Sequence, residues 1–315
     1  MVDRVSTAGQ YSAILANLMT SEAQQTNAAN RVSSQVNGDD LKAFAPQAET
    51  LTAMKSVDAR ITNYQSQNTV IAAKLTVQDQ ALTSVAGAAT AVRQAIADAL
   101  ASGDATSMMQ SIQSQFSTAA GSLNTQYDGK YLFAGGQINT QPVTTTQMTD
   151  LTAGSPPLPA ISSFFQNDNH VAQAKLDDTT TVTTGQLAST LGTPMFTEFQ
   201  AIQAYNDGPN GPLTGTLNAT QQAFLTQEMQ NFTTVATNLT QATAVNGLVQ
   251  DQVTQVASNL TTQQNTLTSM IGNITDADMA KAATDLSNAQ LSVQASAKVL
   301  QALQSDSLLQ LLPVA

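Results

Sequence analysis

This chain of 315 residues contains no cysteine and no tryptophan, and it has a single histidine. Without cysteine it can form neither a disulfide nor a thiolate metal site, and thiol catalysis is excluded as well. The one histidine, His170, rules out zinc motifs that need two, and it would leave a serine triad dependent on one residue in a polar segment. We therefore interpret His170 as a surface residue, and we expect no enzyme activity, no metal and no cofactor.

Positive charge is also scarce, because 11 Lys and Arg residues stand against 22 Asp and Glu, which gives a net charge of -11 at pH 7. Binding to nucleic acid requires clustered basic side chains, so we expect no nucleic-acid partner. No apolar run approaches the ~18 residues of a membrane span, and the first residues lack the apolar core of a cleavable signal. We expect no membrane insertion, and export, if it occurs, without a cleavable signal peptide.

The chain does contain two long apolar seams, from Met54 to Ala99 and from Leu225 to Met270. Each repeats about every 3.5 residues, which predicts a helix of roughly 70 Å wound against partners. Similar lengths on either side of a dissimilar middle predict an antiparallel pair, and a shorter apolar face from Met109 to Leu123 adds a third helix. Polar residues interrupt the seams, and we predict that four of them set the register between the long helices: Asn68, Gln78, Asn246 and Gln263.

The ends and the middle of the chain differ from these seams. Helical faces near both ends predict paired terminal helices, with Thr275 or Asp276 as the N-cap of the last one. The middle is rich in Thr, Gly, Pro and Asn, and "KYLFA" and "HVAQAKLDDTTTVTTG" read as short strands, while Asp128 and Gly129 are expected to close the third helix.

The predicted fold class is mainly α: an elongated antiparallel helical rod, similar to a coiled-coil bundle, with paired terminal helices and a small β-rich middle domain. The expected segments are an N-terminal assembly helix at 1–45, a first rod part at 46–130, a β-rich outer domain at 131–193, a second rod part at 194–272 and a C-terminal assembly helix at 273–315.

Several motifs resemble one family. "NITDADMAKAATDLSNAQLSVQASAKVLQALQSDSLLQLL" is similar to the C-terminal segment of bacterial flagellins and flagellin-like hook-associated proteins, and "RVSSQVNGDDLKAF" looks like a shortened N-terminal region of the same family. "YLFAGG" followed by "TQPV" is more similar to the hook-filament junction members (hook-associated protein 3) than to filament flagellins. The resemblance covers about residues 6–143 and 197–312. It implies an extracellular axial subunit of the bacterial flagellum, whose terminal helices form the inner tube.

The leucine-rich C-terminus raises the question of what covers it. Burying one leucine is worth about 1.5 to 3 kcal/mol, whereas ordering each backbone residue costs about 1 to 2 kcal/mol. We hypothesise that both ends stay mobile in the monomer and fold when neighbouring subunits cover them. The predicted assembly interface consists of Tyr11, Ile14, Leu18, Val32, Leu286, Val293, Leu300, Leu303, Leu308, Leu309, Leu311 and Leu312.

Three functions stay open on the sequence. The leading hypothesis is a structural subunit that joins hook to filament, with the hook-side junction protein and flagellin as neighbours, self-association in a ring and an export chaperone as partners. A filament flagellin is the first alternative. A surface glycan-binding adhesin on a helical stalk is the second, with Phe164 and Phe165 as candidate sugar-contacting residues in the middle segment.

Overall fold

The computed structural model describes the backbone of residues 2–38, 40–154 and 157–309, and the side chains of residues 9–38, 40–154 and 157–302. Long α-helices account for most of these residues. The helices are α1 Val2–Ser34, α2 Ala48–Ser102, α3 Met108–Leu123, α4 Ala188–Asp207, α5 Ala219–Thr275 and α6 Met279–Leu309. The strands β1 Gln126–Tyr127 and β2 Lys130–Tyr131 form one antiparallel pair, and β3 Gln173–Lys175 and β4 Thr181–Thr183 form another. The predicted mainly α class, with a small β-containing middle segment, is confirmed.

The chain divides into two compact units. One combines the described parts of residues 1–60 and 263–315, and the other comprises residues 61–262. Helices α2 and α5 each pass from one unit into the other. The five segments expected from the sequence are a finer division, which stays a prediction.

In the first unit, α1 and α6 pair with each other, as predicted. The loop after α1 and the loop before α6 are also joined, because the Asn37 backbone N–H donates to the Thr275 carbonyl (2.8 Å) and the Ala277 N–H donates to the Gln35 carbonyl (2.9 Å). The predicted cap of α6 was wrong. Helix α5 continues through Thr275, and the Asp278 carboxylate caps α6 by accepting hydrogen bonds from the next turn.

In the second unit, helices α2, α3, α4 and α5 contribute to one apolar core. Its centre is a cluster of phenylalanine rings from α3, α4 and α5, whose neighbouring centroids lie 4.9 to 5.3 Å apart. These separations suit tilted and edge-to-face ring contacts. The four rings of this cluster, Phe116, Phe196, Phe199 and Phe232, are fully buried.

The middle segment corrects one sequence prediction. Helix α3 ends at Leu123, and Asp128 and Gly129 form the two-residue turn between β1 and β2. Both residues have positive φ, 51° and 71°, which is the conformation of a type I′ hairpin turn. The "HVAQAKLDDTTTVTTG" segment contains the β3–β4 pair as expected, whereas "KYLFA" is extended only over its first two residues.

Candidate assembly surface

The contact between α1 and α6 is built from small side chains. Its buried apolar residues are alanines, namely Ala28, Ala282 and Ala289. A single ion pair joins the two helices in the described residues, with the Arg31 guanidinium 3.2 Å from the Asp285 carboxylate. About a third of each of these side chains is exposed. Alanines let the helices approach closely, but they bury little apolar area, so this contact is weaker than one filled by leucines.

Larger apolar side chains on the same two helices face solvent. Met19 and Leu291 are 63% and 61% exposed, and Leu15 is 40% exposed. A helix that presents leucine and methionine outward while it buries alanine inward has apolar side chains that no described part of its own chain covers. The exposed apolar side chains of the two helices define the candidate assembly surface: Tyr11, Leu15, Met19, Met279, Leu291 and Val299.

The structure places the sequence-predicted interface residues in three groups. Tyr11 is exposed and belongs to the candidate assembly surface. Most of the others are half-buried on α1 or α6, namely Ile14, Leu18, Val32, Leu286, Val293 and Leu300. The side chains of Leu303, Leu308 and Leu309 lie outside the described ones, and Leu311 and Leu312 lie outside the described residues altogether. The predicted interface does not include Leu15, Met19, Met279, Leu291 or Val299, although the i, i+4 spacing of Leu15 and Met19 could have indicated a second apolar stripe on α1.

Two of the predicted register residues meet in the second unit. Gln78 of α2 and Asn246 of α5 are both 1% exposed, and the Gln78 amide donates to the Asn246 side-chain oxygen at 3.0 Å. The Asn246 amide donates to the Leu75 carbonyl (3.0 Å) and to the Asp79 carboxylate (3.2 Å). These buried bonds are consistent with the predicted register role, since an amide shifted by one turn along α2 or α5 would lose its partners.

The other two register residues differ from the prediction. Asn68 is buried, but its amide donates to the Leu176 carbonyl in the turn between β3 and β4 (3.1 Å), so its observed partner is the middle segment. Gln263 is exposed on α5, so the burial assumed for a register residue is absent there. The sequence shows only that a polar residue interrupts the seam, and it does not show which element the side chain meets.

A groove of about 410 Å³ lies beside the buried amides in the second unit. Its apolar wall includes Val171, Leu187, Leu191, Val245 and Val249, and none of its lining residues is charged. This volume lies within the range of ligand pockets. No local sequence pattern indicates this groove, because its walls come from α2, α4, α5, β4 and the segments that connect them.

No group of three or more His, Cys, Asp or Glu side chains that could hold a metal ion occurs among the residues that the structure describes. None of the helices they form combines the length with the sustained hydropathy that crossing a bilayer requires.

Comparison with known proteins gives one family match. Residues 229–312 match the bacterial flagellin C-terminal helical region, which corresponds to most of α5 and to α6. Comparison with curated protein sequences finds no match.

Two solved structures share the fold. A Vibrio parahaemolyticus protein described as a flagellar hook-associated protein is 15% identical, with a TM-score of 0.57, and the match covers 72% of this chain and 96% of that one. FlgL of Bacillus cereus is 14% identical, with a TM-score of 0.52, and the match covers 71% of this chain and 99% of that one.

Proposed function

We propose that this chain, whose C-terminal part matches a flagellin family, is a structural axial subunit of the bacterial flagellum that joins the hook to the filament. The proposal is supported by the flagellin C-terminal match and by the fold shared with the two hook-associated structures. Its neighbours would be the hook-side junction protein and flagellin, its copies would form a ring, and an export chaperone would accompany it to the extracellular flagellum.

The observation that carries this function is the candidate assembly surface. Helices α1 and α6 bury alanines against each other and expose Met19 and Leu291. A neighbouring subunit that covers such a face removes its apolar area from water, which contributes about 25 cal/mol per Å². We propose a head-to-tail contact, in which the candidate assembly surface of one copy meets a different surface on the next copy. Repeated contacts of this kind close a ring or extend a tube.

Electron microscopy of a strain that lacks the gene tests the function. We expect hooks without attached filaments and flagellin monomers in the medium. Filaments that are present but short would contradict the junction role and favour a filament subunit.

Complementation of that strain tests the surface itself. The Leu291→Gln variant should fail to restore filaments, because the change places an amide where a neighbour is expected to cover an apolar side chain. Gln294→Ala is the matched control, since Gln294 is an exposed polar residue of the same helix and both changes keep good helix formers. Equal motility of the two complemented strains would refute the assembly surface.

We further propose that α1 and α6 become stably folded on assembly. To offset the backbone entropy of two helices of 33 and 31 residues, the described α1–α6 pair has three buried alanines, a few half-buried apolar side chains such as Leu18 and Leu286, and one partly exposed ion pair. Amide hydrogen exchange on the isolated chain should therefore be faster in α1 and α6 than in the parts of α2 and α5 within residues 61–262. Equal protection of the terminal and central helices would contradict coupled folding, whatever the outcome of the genetic test.

A filament flagellin is the second candidate, and the family match favours it because the matched region is that of flagellin. A filament subunit must polymerise with its own kind. Elongation of filament fragments by the purified chain would support this candidate and count against the junction role.

The glycan-binding alternative loses its proposed contacts. Phe165 is 8% exposed and packs against Phe196 with ring centroids 5.1 Å apart, and Phe164 packs against the same core. Rings held in this way are unavailable for stacking on a sugar.

A further inference from the structure

Two of the four glutamates of the chain meet inside the second unit. Glu198 lies on α4 and Glu228 on α5, and the Asn231 amide lies between them. This amide donates to a Glu198 oxygen at 2.9 Å and to Glu228 Oε1 at 3.5 Å. Glu228 is 4% exposed, and its other oxygen, Oε2, is buried without a hydrogen-bond partner among the described residues. Two carboxyl groups thus share one amide donor.

The surrounding helices supply no compensating positive charge. Helix α3 carries no charged residue, and the other carboxylate of α4, Asp207, accepts hydrogen bonds from Gln203 (2.9 and 3.0 Å). On α2, the antiparallel register fixed by Asn246 places Arg93 and Asp98 nearest to the level of Glu228. Neither forms an ion pair with Glu228 or Glu198 in the described structure, and the charge that acts on Glu228 is that of Glu198.

The arrangement is favourable only with a proton between the carboxyl groups. A protonated carboxyl is a donor and can bond to the neighbouring carboxylate, whereas two ionised groups would repel each other in a buried site. Desolvation by burial, the charge of Glu198 and a hydrogen bond with it together raise the pKa of Glu228 to about 7, although the bond from Asn231 opposes them.

We propose that a proton shared by Glu198 and Glu228 holds α4 against α5, so that this helix contact is strongest in mild acid and weakens as the pH rises to neutrality and beyond. When the helices separate, Glu228 returns to its ordinary acidity and releases the proton above about pH 4.5. The stabilisation is complete below that pH and is lost as the pH rises through about 7, the value in the folded chain. After this loss, α4 is still held against α3 and α5 by the phenylalanine cluster described above.

The size of this pH effect follows from the difference between the pKa of Glu228 in the closed contact and its pKa when the helices are apart. With Glu228 titrating near 4.5 when exposed and near 7 when folded, raising the pH from 5 to 8 should reduce the equilibrium constant for closing α4 onto α5 by roughly 70-fold. Above about pH 8 no further loss is expected, because Glu228 is then ionised in both states.

Carboxyl carbon NMR of the glutamate-labelled full chain provides a direct test. The chain has four glutamates, and Glu22 and Glu49 are exposed, so they serve as internal references. We expect the carboxyl carbon of Glu228 to titrate near neutral pH. Titration of Glu228 together with the exposed pair would overturn the proposal.

Amide hydrogen exchange in α4 tests whether the α4–α5 contact weakens as the pH rises. It is measured at pH 5 and pH 8 and corrected for the intrinsic exchange rate. Protection of α4 should fall by tens of fold in the wild type, whereas Glu228→Gln should show little change, because its amide donates permanently in place of the proton. Glu49→Gln is the matched control and should behave as the wild type does. The same pH dependence in the wild type and Glu228→Gln would refute the shared proton.

Discussion

The buried amide pair between α2 and α5 makes a quantitative prediction about stability. Replacing Asn246 with alanine removes three hydrogen bonds, two donated to the Leu75 carbonyl and the Asp79 carboxylate and one accepted from Gln78. The net value of each is about 1 kcal/mol. The Leu75 carbonyl keeps a second donor in Gln250 (3.0 Å), so it is not left unsatisfied. We therefore expect Asn246→Ala to lower the free energy of unfolding of residues 61–262 by about 2 to 3 kcal/mol.

Urea denaturation followed by tyrosine fluorescence measures this change. The chain has no tryptophan, and four of its five tyrosines lie in residues 61–262, at positions 64, 127, 131 and 205. Asn259→Ala is the matched control on the same helix, because Asn259 is exposed and only accepts a 3.2 Å bond from Gln255. Both variants gain the same helix propensity from alanine. If their unfolding free energies agreed within about 0.5 kcal/mol, the buried amides would have no special role in holding the helices.

Three further predictions concern single positions. Asp278→Ala should cost about 0.5 to 2 kcal/mol of helix stability, seen as a lower helix content by circular dichroism, because the carboxylate caps the first turn of α6 at 3.0 and 3.1 Å. Gly192→Ala should destabilise the second unit by about 1 to 3 kcal/mol in urea, because the added Cβ would lie 2.6 Å from the buried Phe165 ring; an unchanged midpoint would contradict this packing. Arg31→Ala should change stability by less than about 1 kcal/mol, because its ion pair with Asp285 is partly solvated; a larger loss, suppressed by salt, would show that this pair dominates the α1–α6 contact.

The long helices could be predicted from the sequence because their apolar repeat is long. The seam that starts at Met54 lies within α2, which runs from Ala48 to Ser102, and the seam that starts at Leu225 lies within α5. Over more than six heptads, the period identifies a helix even where single positions break the pattern. Pairing of the terminal helices was predictable for the same reason.

The middle segment was less predictable because its structure depends on single turns. The dipeptide of Asp128 and Gly129 is compatible both with a helix C-terminus and with a type I′ hairpin, and only the pairing of Gln126 with Tyr131 distinguishes them. The carboxyl pair of Glu198 and Glu228 was also out of reach, since it joins helices whose relative packing no local pattern specifies.

The polar interruptions of the seams have a role that periodicity alone does not reveal. In a coiled coil, a buried amide is expected to bond to the facing helix. Here Asn68 donates to the Leu176 carbonyl, and Gln78 donates to the Thr184 carbonyl as well as to Asn246. Both carbonyls belong to the middle segment, at the tip and the base of the β3–β4 hairpin, so the amides hold this hairpin along α2. Leucine at either position would leave a buried carbonyl without its donor, which explains why the apolar repeat breaks where an inserted segment is attached.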